Sequence, residues 1–128
     1  MWAEQVDGNR CRLKNSPFFV RGVSFDDIIF VRPDRGGIPN FRGVSIRGGH
    51  STYWVTLNAP RESSEFKTAW KALEALGCGF EGGGDGLLSV DVPPEADISE
   101  VYKLLEAGKA VGTWTFEEGH CGHVMSRA

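Results

Sequence analysis

The densest group of chemically versatile side chains in this sequence is His120-Cys121-Gly122-His123, with Cys11 and Cys78 far upstream and His50 beside Ser51. Imidazole and thiolate are zinc donors, but a structural zinc site gathers four of them in a tetrahedron, normally as two spaced pairs. Only one such segment stands here, and Cys78 could add only a third donor, so neither a metal nor another cofactor is expected. Cys121 between His120 and His123, and Ser51 after His50, supply the residue types of a nucleophile and its base. Neighbours in sequence seldom reach the side-chain geometry that proton transfer needs. Glu117-Glu118 and Asp26-Asp27 are paired carboxylates that a strand would send to opposite faces. The expectation is therefore a protein that is not an enzyme, with a metal- or thiol-dependent enzyme built on His120, Cys121 and His123 as the alternative.

Two further motifs bear on nucleotides. Gly82-Gly83-Gly84-Asp85-Gly86 lacks the Lys-Ser/Thr of a phosphate-binding loop and is followed by strand-like sequence, so it reads as a hairpin turn. Arg42, Arg47 and Arg61 with Tyr53 and Trp54 could form a basic, aromatic surface for single-stranded nucleic acid, a third functional reading. The Lys/Arg-Gly-aromatic strand of such modules is missing, and Trp54 is better explained as packing at a junction.

These residues must be positioned by the elements around them. Asp7-Gly8-Asn9 separates two strand-like runs as a hairpin, and Asp26 to Arg32 reads as a buried strand closed by Pro33-Asp34-Arg35-Gly36-Gly37. Phe41 to Arg47 is its partner, followed by Ser51 to Leu57, in which Tyr53, Val55 and Leu57 alternate with Thr52, Trp54 and Thr56. Ser63 or Ser64 caps a helix along Phe66, Ala69, Trp70, Leu73 and Leu76, with Gly77 as its C-terminal stop. Extended chain over Cys78 to Glu81, a strand along Leu88, Val90 and Val92, and a helix from Asp97 along Ile98, Val101, Leu104 and Leu105 follow. Gly108 is expected to weaken or end that second helix, and Trp114 with Phe116 marks the last strand.

Residues 51–118 thus spell β-α-β-β-α-β, a ferredoxin-like unit with both helices on one face of a four-stranded antiparallel sheet. Residues 1–50 are expected as a small β-rich, barrel-like part packed beside it, with Trp54 and Phe18 at the junction, and residues 119–128 as a tail. The fold class is α+β in one compact domain, because pieces of about 50 to 70 residues would be marginal alone.

The chain has 128 residues and a net charge of −3, but the balance is uneven. Residues 1–60 hold eight Lys/Arg against five Asp/Glu, and residues 61–128 hold six against twelve, or +3 and −6. An acidic surface steers basic partners and repels nucleic acid. No apolar run reaches membrane-spanning length, and the N-terminal residues lack a secretory pattern, so a cytoplasmic location without membrane contact is expected. Three cysteines, an odd number, fit free thiols.

Trp2-Ala3-Glu4, Pro17-Phe18-Phe19-Val20-Arg21-Gly22, His50-Ser51-Thr52-Tyr53, Leu73-Glu74-Ala75-Leu76-Gly77-Cys78, Val90-Asp91-Val92-Pro93-Pro94 and Glu117-Glu118-Gly119-His120-Cys121 together resemble a bacterial family of small cytoplasmic proteins with no assigned function. By analogy of class, such acidic orphan proteins are similar to the immunity proteins that bacteria encode beside secreted antibacterial toxins. That resemblance implies an immunity protein that neutralises a cognate toxin, a basic nuclease domain, by occlusion. Glu81, Asp85, Glu117 and Glu118, with Trp54 as an aromatic anchor, are the residues expected to meet that partner.

Overall fold

The computed structural model describes residues 3–17, 21–33, 35–37 and 39–123. Among these residues eight strands and two helices follow one another as β1 (Ala3–Asp7), β2 (Arg10–Leu13), β3 (Ile28–Pro33), β4 (Pro39–Ile46), β5 (Ser51–Leu57), α1 (Ser64–Ala75), β6 (Gly79–Gly82), β7 (Leu87–Val92), α2 (Ile98–Ala110) and β8 (Trp114–His120). The first four strands form a meander in the order β1-β2-β3-β4, and the last four a sheet in the order β6-β7-β5-β8. All pairings are antiparallel. The second sheet with its helices is the β-α-β-β-α-β unit expected from the sequence. The N-terminal part is β-rich as expected, but neither sheet closes, so it is an open meander where a barrel-like part was expected; strands in sequential order leave β1 and β4 as outer edges, each with one partner strand among the described residues.

Local chemistry accounts for both helices. The Ser63 side chain accepts the Phe66 amide at α1, and Asp97 accepts the amides of Ser99 and Glu100 at α2, relieving donors that the first turn leaves orphaned. At the end of α1 the amides of Gly77 and Cys78 return to the carbonyls of Glu74 and Leu73, with Gly77 at φ +95°, a Schellman closure that needs a residue without Cβ. Gly108 does not end α2, which continues to Ala110. A Cβ there would lie 2.4 Å from the Trp114 ring, so this glycine makes room for an indole whose Nε1 donates to the Leu105 carbonyl at 2.9 Å.

Phe66 and Leu73 of α1 and Ile98, Val101 and Leu105 of α2 pack with Tyr53, Val55, Leu88 and Val90 into the main core. The register pairs Tyr53 with Val90 and Val55 with Leu88, so these four share the face beneath the helices. The opposite face is covered as well, by Leu13–Pro17 and Arg21–Asp27. Its interlayer is polar and paired: Ser89 donates to the Pro17 carbonyl at 2.7 Å and takes the Ser16 hydroxyl at 2.8 Å, and Ser24 bonds Thr52 at 2.6 Å. Asp26 and Asp27 fall before the strand expected to contain them. Asp26 adopts φ +69°, outside the extended conformation of a strand, and the buried Asp27 carboxylate accepts the amides of Ser24 and Gly48. A small second core of Leu13, Val23 and Ile29 lies under the meander, so the two sheets and their connecting chain make one compact domain.

Candidate functional site

Antiparallel pairing sets the start of β5 beside the ends of β7 and β8, with Thr52 opposite both Asp91 and His120. All three histidines of the chain therefore meet at one end of the second sheet. His50 Nδ1 lies 2.8 Å from Asp91 Oδ1, and its ring leans on Phe25 at 5.2 Å between centroids. Burial opposes charging of His50, yet the Asp91 hydrogen bond and charge outweigh it, so its pKa is raised. His120 moves the other way, because burial and then the Arg47 guanidinium, 3.4 Å from its Nε2, disfavour the cation. Arg47 is itself held by Asp27 at 3.3 Å and by the Gly22 carbonyl.

Ser51 is paired with His123, 72 residues on, and not with His50 next door: Oγ to Nδ1 is 2.6 Å, and His123 Nε2 donates to the Pro93 carbonyl at 2.8 Å. A hydroxyl, an imidazole and a carbonyl in series are the parts of a nucleophile with its base and orienting group. Ser51 is nevertheless 0% exposed, and its oxygen also accepts the Gly122 amide at 2.9 Å, so no substrate carbonyl can approach it. The arrangement clasps the chain after β8 onto the sheet. Cys121 packs against the core, Cys78 lies within it with its thiol pushed up to about 12 by burial, and Cys11 belongs to the other sheet. Among the described residues no three His, Cys, Asp or Glu are disposed to hold a metal ion.

The acidic residues singled out in the sequence do not make one patch. Glu81, Ser89, Trp54 and Glu117 stand opposite one another across four strands and form a row on the face away from the helices. The middle of that row is covered. Trp54 is only 4% exposed: its Nε1 donates to the Pro17 carbonyl at 2.9 Å and the Arg21 guanidinium lies over its ring at 5.0 Å. Arg21 reaches on to Glu117 at 3.1 Å and to the Glu118 carbonyl at 2.9 Å. Trp54 therefore stands at the junction of the two parts, while Phe18 lies outside the described residues. Glu81 sits on the opposite edge strand, and Asp85, at φ +51°, in the β6–β7 turn. β8 continues through Gly119 and His120, past the expected start of a tail at 119, and residues 124–128 lie outside the described residues. The nucleic-acid candidates are likewise separated, since Tyr53 at 2% exposure faces the helices and Trp54 the other layer.

Glu118 is opposite Tyr53 and so looks toward α2. On that side stands Tyr102, which feels the Glu118 charge and which sequence reasoning passed over. Tyr102 is 42% exposed, and its ring stands edge-on to Phe116 at 5.7 Å, which in turn meets Tyr53 at 6.1 Å. The phenol's pKa is raised, chiefly by hydrogen bonding and charge from Glu106 one turn on and least by the charge of Glu118. The available signal was an aromatic beside the apolar stripe Ile98, Val101 and Leu105 with a carboxylate one turn on. The α2–β8 edge thus presents an exposed aromatic backed by Phe116 and under the charge of two carboxylates.

Comparison with known proteins adds a family and a fold. A family model described as "Domain of unknown function (DUF4265)" matches residues 1–116, ending just before the Glu117–His123 segment. No curated protein matches the chain. A solved structure titled "Novel crystal structure of a hypothetical protein from Neisseria gonorrhoeae" is similar with a TM-score of 0.75 and 18% identity, over 88% of this chain and 76% of that one. At that identity the likeness is one of fold.

Proposed function

We propose that this chain, which belongs to the DUF4265 family, is a binding protein of the immunity type that occludes a cationic toxin in the cytoplasm, stoichiometrically and without turnover. The observation that carries this reading is Tyr102, an exposed aromatic seated edge-on against Phe116, where the charges of Glu106 and Glu118 reach it. Tyrosine is among the residues that supply most affinity at protein interfaces, because it brings large area at little entropic cost. Flanking carboxylates speed encounter with a basic surface, such as that of a nuclease domain. The −6 balance of residues 61–128 acts in the same direction. Trp54 is replaced as anchor by Tyr102, and Glu118 remains on the working face, whereas Glu117 is engaged by Arg21.

The test is co-purification with the product of the adjacent reading frame, and survival of cells that express it. Tyr102→Ala should speed dissociation about tenfold or more, and Glu106→Lys with Glu118→Lys should slow association and remove its salt dependence. A non-toxic neighbour, or full protection by the triple variant, would overturn the reading.

A further inference from the structure

At the opposite edge of the second sheet, α1 and β6 enclose a cleft of about 420 Å³ whose wall is aromatic and whose rim is cationic. Trp70 and Phe80 meet edge to face at 4.8 Å between centroids, and Phe66 stands behind them at 6.1 and 6.0 Å. Both Trp70 and Phe80 are half-buried, so each keeps ring surface toward the cleft. Arg61, Lys67 and Lys71 line the same space. These are three of only six Lys/Arg in residues 61–128, against twelve carboxylates, so half the cations of the acidic part gather at one cleft. None of the three forms an ion pair among the described residues, although Glu74 also lines the cleft. Arg61 instead lies 5.8 Å from the centre of the Phe80 ring, and Gly82 leaves it room: a Cβ there would come within 2.8 Å of its guanidinium.

We infer that this cleft binds a nucleotide, its base stacked against Trp70 and Phe80 and its phosphate held by Arg61, Lys67 and Lys71. Stacking needs a flat ring and tolerates any base, whereas a multiply charged phosphate suits a rim of three cations that form no ion pair among the described residues and outnumber the one carboxylate beside them. The volume falls within the range of small-molecule sites. A free mononucleotide and a nucleotide within a single strand share this chemistry. The cleft is remote from Tyr102, since β6 and β8 are opposite edges, so it stands or falls independently of the immunity reading.

The experiment follows the Trp70 indole N–H resonance of the full chain during titration with AMP, GMP, adenosine, inorganic phosphate and a single-stranded RNA hexamer, with Trp70→Phe assigning the signal. Saturable shifts with AMP or GMP, weaker ones with adenosine or phosphate alone, and a loss of affinity of about tenfold in Lys67→Gln/Lys71→Gln are expected. A hexamer that displaces AMP and binds more tightly identifies the strand as the source; one that does not identifies the free nucleotide. Arg61→Ala, which lies outside the helix, provides a second variant if the lysine pair unfolds. No shift with either nucleotide or the hexamer at about 10 mM, or equal affinity in the folded variants, would falsify the assignment.

Discussion

His50 and His120 lie at the same end of one sheet yet have opposite electrostatic surroundings, so their titrations are a sensitive check on the local packing. NMR titration of the imidazoles should place the His50 midpoint above 6.5 and the His120 midpoint below it. For His50 the raised native pKa means that the Asp91 pair contributes fully below about pH 6.5 and fades as pH rises through the native value. His50→Gln should therefore cost more stability at about pH 5.5 than at about pH 8. For His120 the sign is reversed: its contribution is present above about pH 6.5 and is lost as pH falls toward the lowered native value, so His120→Gln should blunt acid sensitivity. Ser51 offers a second check. Ser51→Ala leaves the Gly122 amide and His123 Nδ1 without their partner and should cost about 1–3 kcal/mol by urea denaturation.

At the scale of elements, Gly108 separates propensity from packing. Glycine to alanine in a helix interior normally stabilises by about 0.5–1 kcal/mol. Here the added methyl would collide with the Trp114 ring, which is fixed by its bond to Leu105. Gly108→Ala should therefore destabilise by about 1–3 kcal/mol, measured as a lower denaturation midpoint at unchanged slope. The same contrast describes what was readable. Ser63, Gly77 and Asp97 revealed the helix limits because caps act on amides within one turn. Alternation in β5 was readable too, but not that Ser51 through Val55 are all buried, since a covering on the second face comes from chain far away in sequence.

At the scale of the molecule, Pro17 and Val23, between β2 and β3 in sequence, make the two sheets interdependent by satisfying Trp54, Ser89 and Thr52. Calorimetry should show one cooperative transition for the full chain. A fragment of residues 49–123 should fail to fold or should aggregate, because it would expose the Trp54 face and strand those polar groups. Two resolved transitions, or a stable fragment, would show that the sheets are independent. The sequence by itself determined the order of elements, the helix caps, the hairpin turns and the acidic bias of the second part, because each depends on residues within a few positions or on counting charge. Only the tertiary structure decided that Ser51 serves His123, that Trp54 lies beneath Arg21, that of the two alternating carboxylates it is Glu118 that takes the helix side, and that Tyr102 and the Trp70 cleft occupy opposite edges. Those relations follow from strand order and register, which the whole core selects and no local stretch of sequence encodes.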